Sequence, residues 1–361
     1  TKLFRRDLRE LRPYEAVDSP EALAEIAGIP AEEIIRLNAN ENPYGPSPRV
    51  QEALGCYNAY HIYPDAHQSV PRRALAEYTG ISADHILVGA GADELIDLVL
   101  RATLEPRDKV ISCPPTFGMY SFSTQVNGGI LVSIPRDKEF QVDLPKVRKA
   151  IGTMSKAIFL TSPNNPTGCA VSNNDLKALL SQTDALVLLD EAYGEFSDHT
   201  ALDLLPEHPN LVVLKTFSKA FGAAGIRIGY LIAHPDITQE IVKGKIPFDI
   251  NLFSYTAAME IVQQKKLIQE RIDAILAVRE RLFHALQALN GARPYPSQAN
   301  LILFEVDDPE AVFNGLVEQG VLIRNVTSYP MLSKALRVSI GTQKETDCFL
   351  TALEKTLRET P

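Results

Sequence analysis

Between about Asp84 and His234 one unit recurs: a short aliphatic run, a tight turn of polar and small residues, then a helical pattern. The series opens with "HILVGAGADELIDLVLRATL" and continues through "KVISCPPTFGMYSFSTQV", "GGILVSIPRD", "KAIFLTSPNNPTG", "ALVLLDEAYGEF", "LVVLKTFSKAFG" and "GYLIAH". Aliphatic runs without polar alternation are strands buried on both faces, which requires helices on either side and favours a parallel sheet. The expected class is therefore α/β. Ligands of open α/β sheets sit at the carboxyl ends of the strands, so the polar residues following each run are where chemistry should be sought.

After about Ser254 the texture changes to a long charged helix, "LIQERIDAILAVRERLFHALQAL". A second small α/β set follows, with "NLILFEV", "DPEAVFNGLVEQG", "VLIRNV", "LRVSIGT" and a terminal helix. The chain divides into an N-terminal arm, residues 1–50, a large domain, 51–255, and a small C-terminal domain, 256–361. Residues are 45% apolar and 22% charged, enough to build a core without disorder. No apolar run approaches the roughly 20 residues that cross a bilayer, and "TKLFRRDLRELRPYEAV" lacks the apolar centre of a secretory signal, so no membrane partner is expected. A formal charge of −9 disfavours a nucleic-acid partner held by general phosphate attraction. Four dispersed cysteines without a C-x-x-C pair suggest reduced thiols and a cytoplasmic location. His61, Asp65 and His67 in "HIYPDAH" match no metal-ligand spacing, and no metal is expected.

Four strand ends carry the functional signal. "GAGADE", Gly89 to Glu94, opens a helix but has Glu94 where a dinucleotide fingerprint needs its third glycine. What remains is a helix start whose N–H groups suit a phosphate, or simply a tight turn. "SPNNPTG" sets asparagines after "AIFLT", and "ALVLLDEAYGEF" ends a strand in Asp190 and Glu191 with Tyr193 beyond. Asp190 could cap a helix, or face a buried cation such as a protonated ring nitrogen. "LVVLKTFSKAFGAAGIRIGY" offers the hydroxyls of Thr216 and Ser218, the amine of Lys219 and the fork of Arg227, with Gly222 and Gly225 leaving room for a ligand. A desolvated amine beside a cation loses proton affinity and becomes a nucleophile. Such a set matches the needs of pyridoxal phosphate.

The motifs "GADE", "SPNNPTG", "DEAY", "TFSKAFGAAGIRIG" and "LRVSIGT", in this order, resemble the fold type I pyridoxal-phosphate aminotransferases, and among them the histidinol-phosphate aminotransferases. The likeness runs from "LRPYEA" and "LNANENPYGPSP" through "YPD" and "CPPTFGMY" to the C-terminal arginine. It implies a large domain with a mainly parallel seven-stranded sheet plus a smaller α/β C-terminal domain. It also implies that Lys219 forms the cofactor aldimine and shuttles the proton, and that Asp190 pairs with the ring nitrogen. Asn165 and Tyr193 would bond the ring's phenolic oxygen, and Phe117, where relatives often have tyrosine, would stack on the ring. Ala92, Asp93 and Glu94 would present backbone to the phosphate beside Thr216, Ser218 and Arg227. Tyr63 would reach the phosphate in a partner subunit, making a homodimer with shared sites.

For the substrate, the resemblance implies that Tyr14, Arg324 and Arg337 hold histidinol phosphate, which has a phosphate ester where amino acids have a carboxylate. The reaction would be ping-pong, with 2-oxoglutarate and glutamate as the second pair. An aromatic amino-acid aminotransferase of the same fold is the alternative, followed by a phosphothreonine-type decarboxylase and a non-catalytic ligand-binding relative.

Overall fold

The computed structural model describes residues 28–359 continuously, and among the first 27 only residues 3–5, 8, 9, 11, 13 and 24. Seven strands form the main sheet: β2 Ile86–Gly89, β3 Lys109–Ser112, β4 Ile130–Ser133, β5 Ser155–Thr161, β6 Leu186–Asp190, β7 Leu211–Thr216 and β8 Gly229–Ala233. Their order is β2-β8-β7-β6-β5-β3-β4. Only β8 runs against the others, pairing antiparallel with both β2 and β7. The expected mainly parallel sheet of seven strands is thus present, with the "GYLIAH" run as its one reversed member. β5, β6, β7 and β8 bury nearly every residue, as strands covered on both faces must.

Register aligns the chemistry. Thr161 pairs with Asp190 across β5 and β6, so the polar ends of neighbouring strands reach the same edge of the sheet. At that edge the reversed β8 begins, with Gly229 opposite both Thr216 and Gly89. The helix Ala92–Thr103 starts immediately beyond β2 and buries Leu95, Ile96, Leu98, Val99 and Leu100.

A second, four-stranded antiparallel sheet has the order β12-β13-β10-β9, from β9 Arg293–Pro294, β10 Leu301–Glu305, β12 Arg324–Asn325 and β13 Ala335–Ser339. The helix Lys265–Ala288 leads into it, burying Ile268, Ile272, Ile275, Val278, Leu282 and Leu286 at helical spacing. The N-terminal arm contributes β1, Ile35–Arg36, which pairs in parallel with β11, Val321–Leu322. That contact delivers the stretch after β1 to the carboxyl edge of the main sheet.

Candidate active site

A cavity of about 260 Å³ opens at the carboxyl edge of the main sheet, facing the four-stranded sheet. Its floor is Asp190, 3% exposed at the end of β6. The carboxylate accepts from the Tyr120 hydroxyl at 2.6 Å and from the Ala192 N–H at 2.9 Å. Both donors are neutral, and burial pushes the Asp190 carboxyl up to about 6, against the lowering effect of these two bonds.

Lys219 follows β7 and donates from Nζ to the Ala39 carbonyl at 2.9 Å, with Nζ 5.8 Å from the Tyr193 ring centroid. Burial first, then the neighbouring Arg337 and Arg227 cations, bring its amine down to about 8, against the pull of Glu41 and Asp93. Tyr193 is held by the Asn40 amide, which donates to its hydroxyl at 2.9 Å. The Asn165 oxygen accepts from Arg337 at 2.7 Å, so a residue of the main-sheet edge is tied to the smaller sheet.

Thr216, Ser218, Arg227, Ala92 and Asp93 form one wall. The Thr216 hydroxyl donates to that of Ser218 at 3.0 Å, and Arg227 lies 3.6 Å from the Asp93 carboxylate, an ion pair half open to solvent. Arg227 adopts φ +52°, a left-handed conformation uncommon for a side-chain-bearing residue. Its guanidinium also fills the space beside Gly91, where an added Cβ would sit 2.7 Å from Nη2. Phe117, Arg324 and Arg337 complete the lining.

Two expected residues have no side chain in this lining: Glu94, expected through its backbone alone, and Tyr63, expected in a partner's site. Glu94 is absent from the lining, because one position along the helix turns its side chain away, toward Lys245 at 3.9 Å. Tyr63 lies outside this chain's cavity, 78% exposed and stacked on Phe248 at 4.7 Å. Tyr14 lies outside the described residues. The clearance expected of Gly222 is taken by the protein itself: an added Cβ there would meet the Gly45 carbonyl at 2.6 Å.

A family model described as aminotransferase class I and II matches residues 32–353. The chain belongs to this aminotransferase family. The aminotransferase is 40% identical, over 98% of its length and 97% of the relative's, to a histidinol-phosphate aminotransferase of Dehalococcoides mccartyi. It is 39% identical to the chloroplastic histidinol-phosphate aminotransferase 1 of Arabidopsis thaliana, over 98% of this chain and 85% of that one. Among solved structures it is similar to the histidinol-phosphate aminotransferase of Sinorhizobium meliloti in complex with pyridoxal-5'-phosphate. That match has TM-score 0.90 and 27% identity, and covers 100% and 99% of the two chains.

The aminotransferase's cavity fits pyridoxal phosphate. A buried carboxylate with neutral partners complements a protonated ring nitrogen, and a suppressed lysine complements an aldehyde. Hydroxyls, Arg227 and the first N–H groups of a helix complement a phosphate. Sequence reasoning missed Asn38, Ala39, Asn40 and Glu41, which line the cavity. Three asparagines within "NANEN" were the available signal, since a buried amide must be bonded somewhere. Tyr120 and Thr161 were missed as well, the first because it reads as an ordinary apolar helix position.

Proposed function

We propose that this aminotransferase moves an amino group between histidinol phosphate and 2-oxoglutarate, giving imidazole acetol phosphate and glutamate, with pyridoxal phosphate as cofactor. The observation that carries the substrate is the pairing of Arg324 with Arg337 as cross-strand neighbours on β12 and β13, both lining the cavity. Two guanidinium groups side by side suit a phosphate dianion, where a single arginine would satisfy a carboxylate. The identity with histidinol-phosphate aminotransferases over almost the whole chain supports the same reading.

Bound pyridoxal phosphate supplies an electrophilic carbon for amines and a ring that takes up electrons. Asp190 holds the proton on the ring nitrogen, and Phe117 packs against the ring. Tyr193 and Asn165 donate toward its phenolic oxygen, while Ala92, Asp93, Thr216, Ser218 and Arg227 anchor the phosphate. Lys219, with its amine near 8, keeps a reactive neutral fraction close to neutral pH and moves the proton at the substrate's amine-bearing carbon.

The active form is read as a homodimer, with Tyr63 entering the partner's site. Supporting this is a patch of exposed aromatic residues on the same surface, Tyr60, Phe248 and Phe253 with Tyr63. Residues 51–255 are read as the cofactor-holding domain and 256–361 as the smaller one. Four unpaired thiols support a cytoplasmic setting. The deciding experiment compares kcat/KM for histidinol phosphate and phenylalanine on protein saturated with cofactor. Histidinol phosphate should win by more than about a hundredfold, because two guanidinium groups suit its phosphate dianion and phenylalanine offers only a singly charged carboxylate; preference for phenylalanine overturns the assignment.

A further inference from the structure

A chain of buried hydroxyls runs from Asp190 sideways across the carboxyl ends of three neighbouring strands. Asp190 Oδ2 contacts the Tyr120 hydroxyl at 2.6 Å, which contacts Thr161 Oγ1 at 2.8 Å. Thr161 Oγ1 contacts Thr116 Oγ1 at 3.2 Å, and Thr116 donates to Asn164 Oδ1 at 2.7 Å. Asn164 spends its amide protons on the Pro115 carbonyl at 3.0 Å and Thr167 Oγ1 at 2.8 Å, so its oxygen is a fixed acceptor ending the chain. All five residues are buried.

Three hydroxyl protons serve these four contacts. With Asp190 ionised, both ends of the chain only accept, and one contact has no proton. A proton on Asp190 fills all four, each group donating to the next as far as Asn164. The direction of the chain therefore depends on whether Asp190 is charged. Tyr120 is the link that turns. Its ring is fixed by stacking on Phe159 at 4.6 Å and by an edge contact at 5.7 Å with Phe117, itself part of the cavity wall.

We propose that Tyr120 is a positioning residue which decides, through this hydroxyl chain, whether Asp190 meets the cofactor as a carboxylate. Other charged or titratable groups acting on Asp190 are Asp93 from the facing helix, Glu191 beside it in sequence, and the Tyr193 hydroxyl through its coupling to Tyr120. Neither Asp93 nor Glu191 donates to the carboxylate, so among the described residues Tyr120 supplies the one side-chain proton that stabilises its charge. A bond to an ionised group is roughly twice as strong as a neutral one. Losing the Tyr120 hydroxyl thus harms the carboxylate more than the acid. Losing the Thr161 hydroxyl does the reverse: Tyr120 can still donate to the carboxylate, but the acid form is left with a proton that has no acceptor.

The inference rests on the cofactor reading above, yet its main test needs no cofactor. Stability of the apoprotein is followed against pH for wild type, Tyr120→Phe, Thr161→Val and Asp190→Asn. Because the folded protein holds Asp190 protonated more readily than the unfolded chain does, wild-type stability falls as pH rises toward about 6 and levels off above it. In Tyr120→Phe that fall should extend upward by about one pH unit, a tenfold gain in proton affinity. In Thr161→Val it should end at lower pH, and in Asp190→Asn it should vanish. With pyridoxal phosphate added, Tyr120→Phe should lower kcat about tenfold with KM for histidinol phosphate within about threefold, since a more basic Asp190 draws the proton off the ring. Profiles for Tyr120→Phe and Thr161→Val that are displaced equally at every pH mean packing alone and overturn the proposal. A protein that shows the titration but no cofactor-dependent visible band would overturn the functional reading and leave the relay standing.

Discussion

Lys215 and Lys219 lie four residues apart around the end of β7 and live in opposite surroundings. Lys215 points to the face away from the cavity, its Nζ 3.1 Å from Glu191 and 3.0 Å from Glu195. Burial works against its charge, but Glu195 and Glu191 more than offset that and hold the amine well above the ordinary lysine range. Lys219 is buried without such an ion pair, donating to a carbonyl, and it faces Arg337 and Arg227, so its amine drops to about 8. One lysine is locked as a cation by two carboxylates in contact, and the other touches none among the described residues and becomes a base. Residue type was the same; the partner supplied by the neighbouring strand decided the chemistry.

Substituting each lysine with methionine tests this contrast. Lys219→Met should cost about 10⁴-fold in turnover, the upper range for a lost proton-transfer group; near-normal steady-state rates would break the comparison at once. Lys215→Met leaves Glu191 and Glu195 buried without their cation and should destabilise by about 3–5 kcal/mol in denaturant unfolding, while turnover with cofactor persists. Equal loss of activity in the two variants would mean that the rear lysine is also part of the chemistry.

The smallest effect has the opposite sign. An amine lowered from 10.5 to about 8 carries a cost in the folded protein that is full below about pH 8 and gone above about 10.5, because the unfolded chain holds the proton longer. That gap corresponds to about 3 kcal/mol, less about 1 kcal/mol for the bond to Ala39. Lys219→Met apoprotein should therefore be more stable than wild type by about 2 kcal/mol at pH 7, the gain shrinking as pH rises. Unfolding midpoints at pH 7 and 10 check this, and a destabilised variant at both would remove the claim that the lysine is held against its preference.

Much of the main sheet was legible because burial on both faces writes itself as unbroken aliphatic runs, and each run here became a strand, although the edge strand β4 buries none of its residues. The strand-end residues Asp190, Thr216, Ser218, Lys219 and Arg227 were legible for the same reason: the ends of parallel strands share one edge. Direction was not legible in "GYLIAH", since an antiparallel strand flanked on both sides has the same texture as a parallel one. Asn40 escaped notice because only the pairing of β1 with β11 explains why a loop asparagine is buried against Tyr193. Glu94 was expected through its backbone alone, and its side chain turns to Lys245 because a helix turns each residue about 100° from the last.

Arg337 donates to the Asn38 carbonyl, a partner 299 residues earlier, and to Asn165 on the main-sheet edge. On the ribosome this ordering matters. Lys219 is made well before Arg337, yet the far wall of its cavity arrives only with the last strand of the smaller sheet. A nascent or truncated chain would carry the amine without the enclosure or the Arg337 cation that help lower its proton affinity. The reactive group is thus fully armed only when synthesis is nearly finished, since incomplete copies of the enzyme lack part of what lowers the lysine's proton affinity.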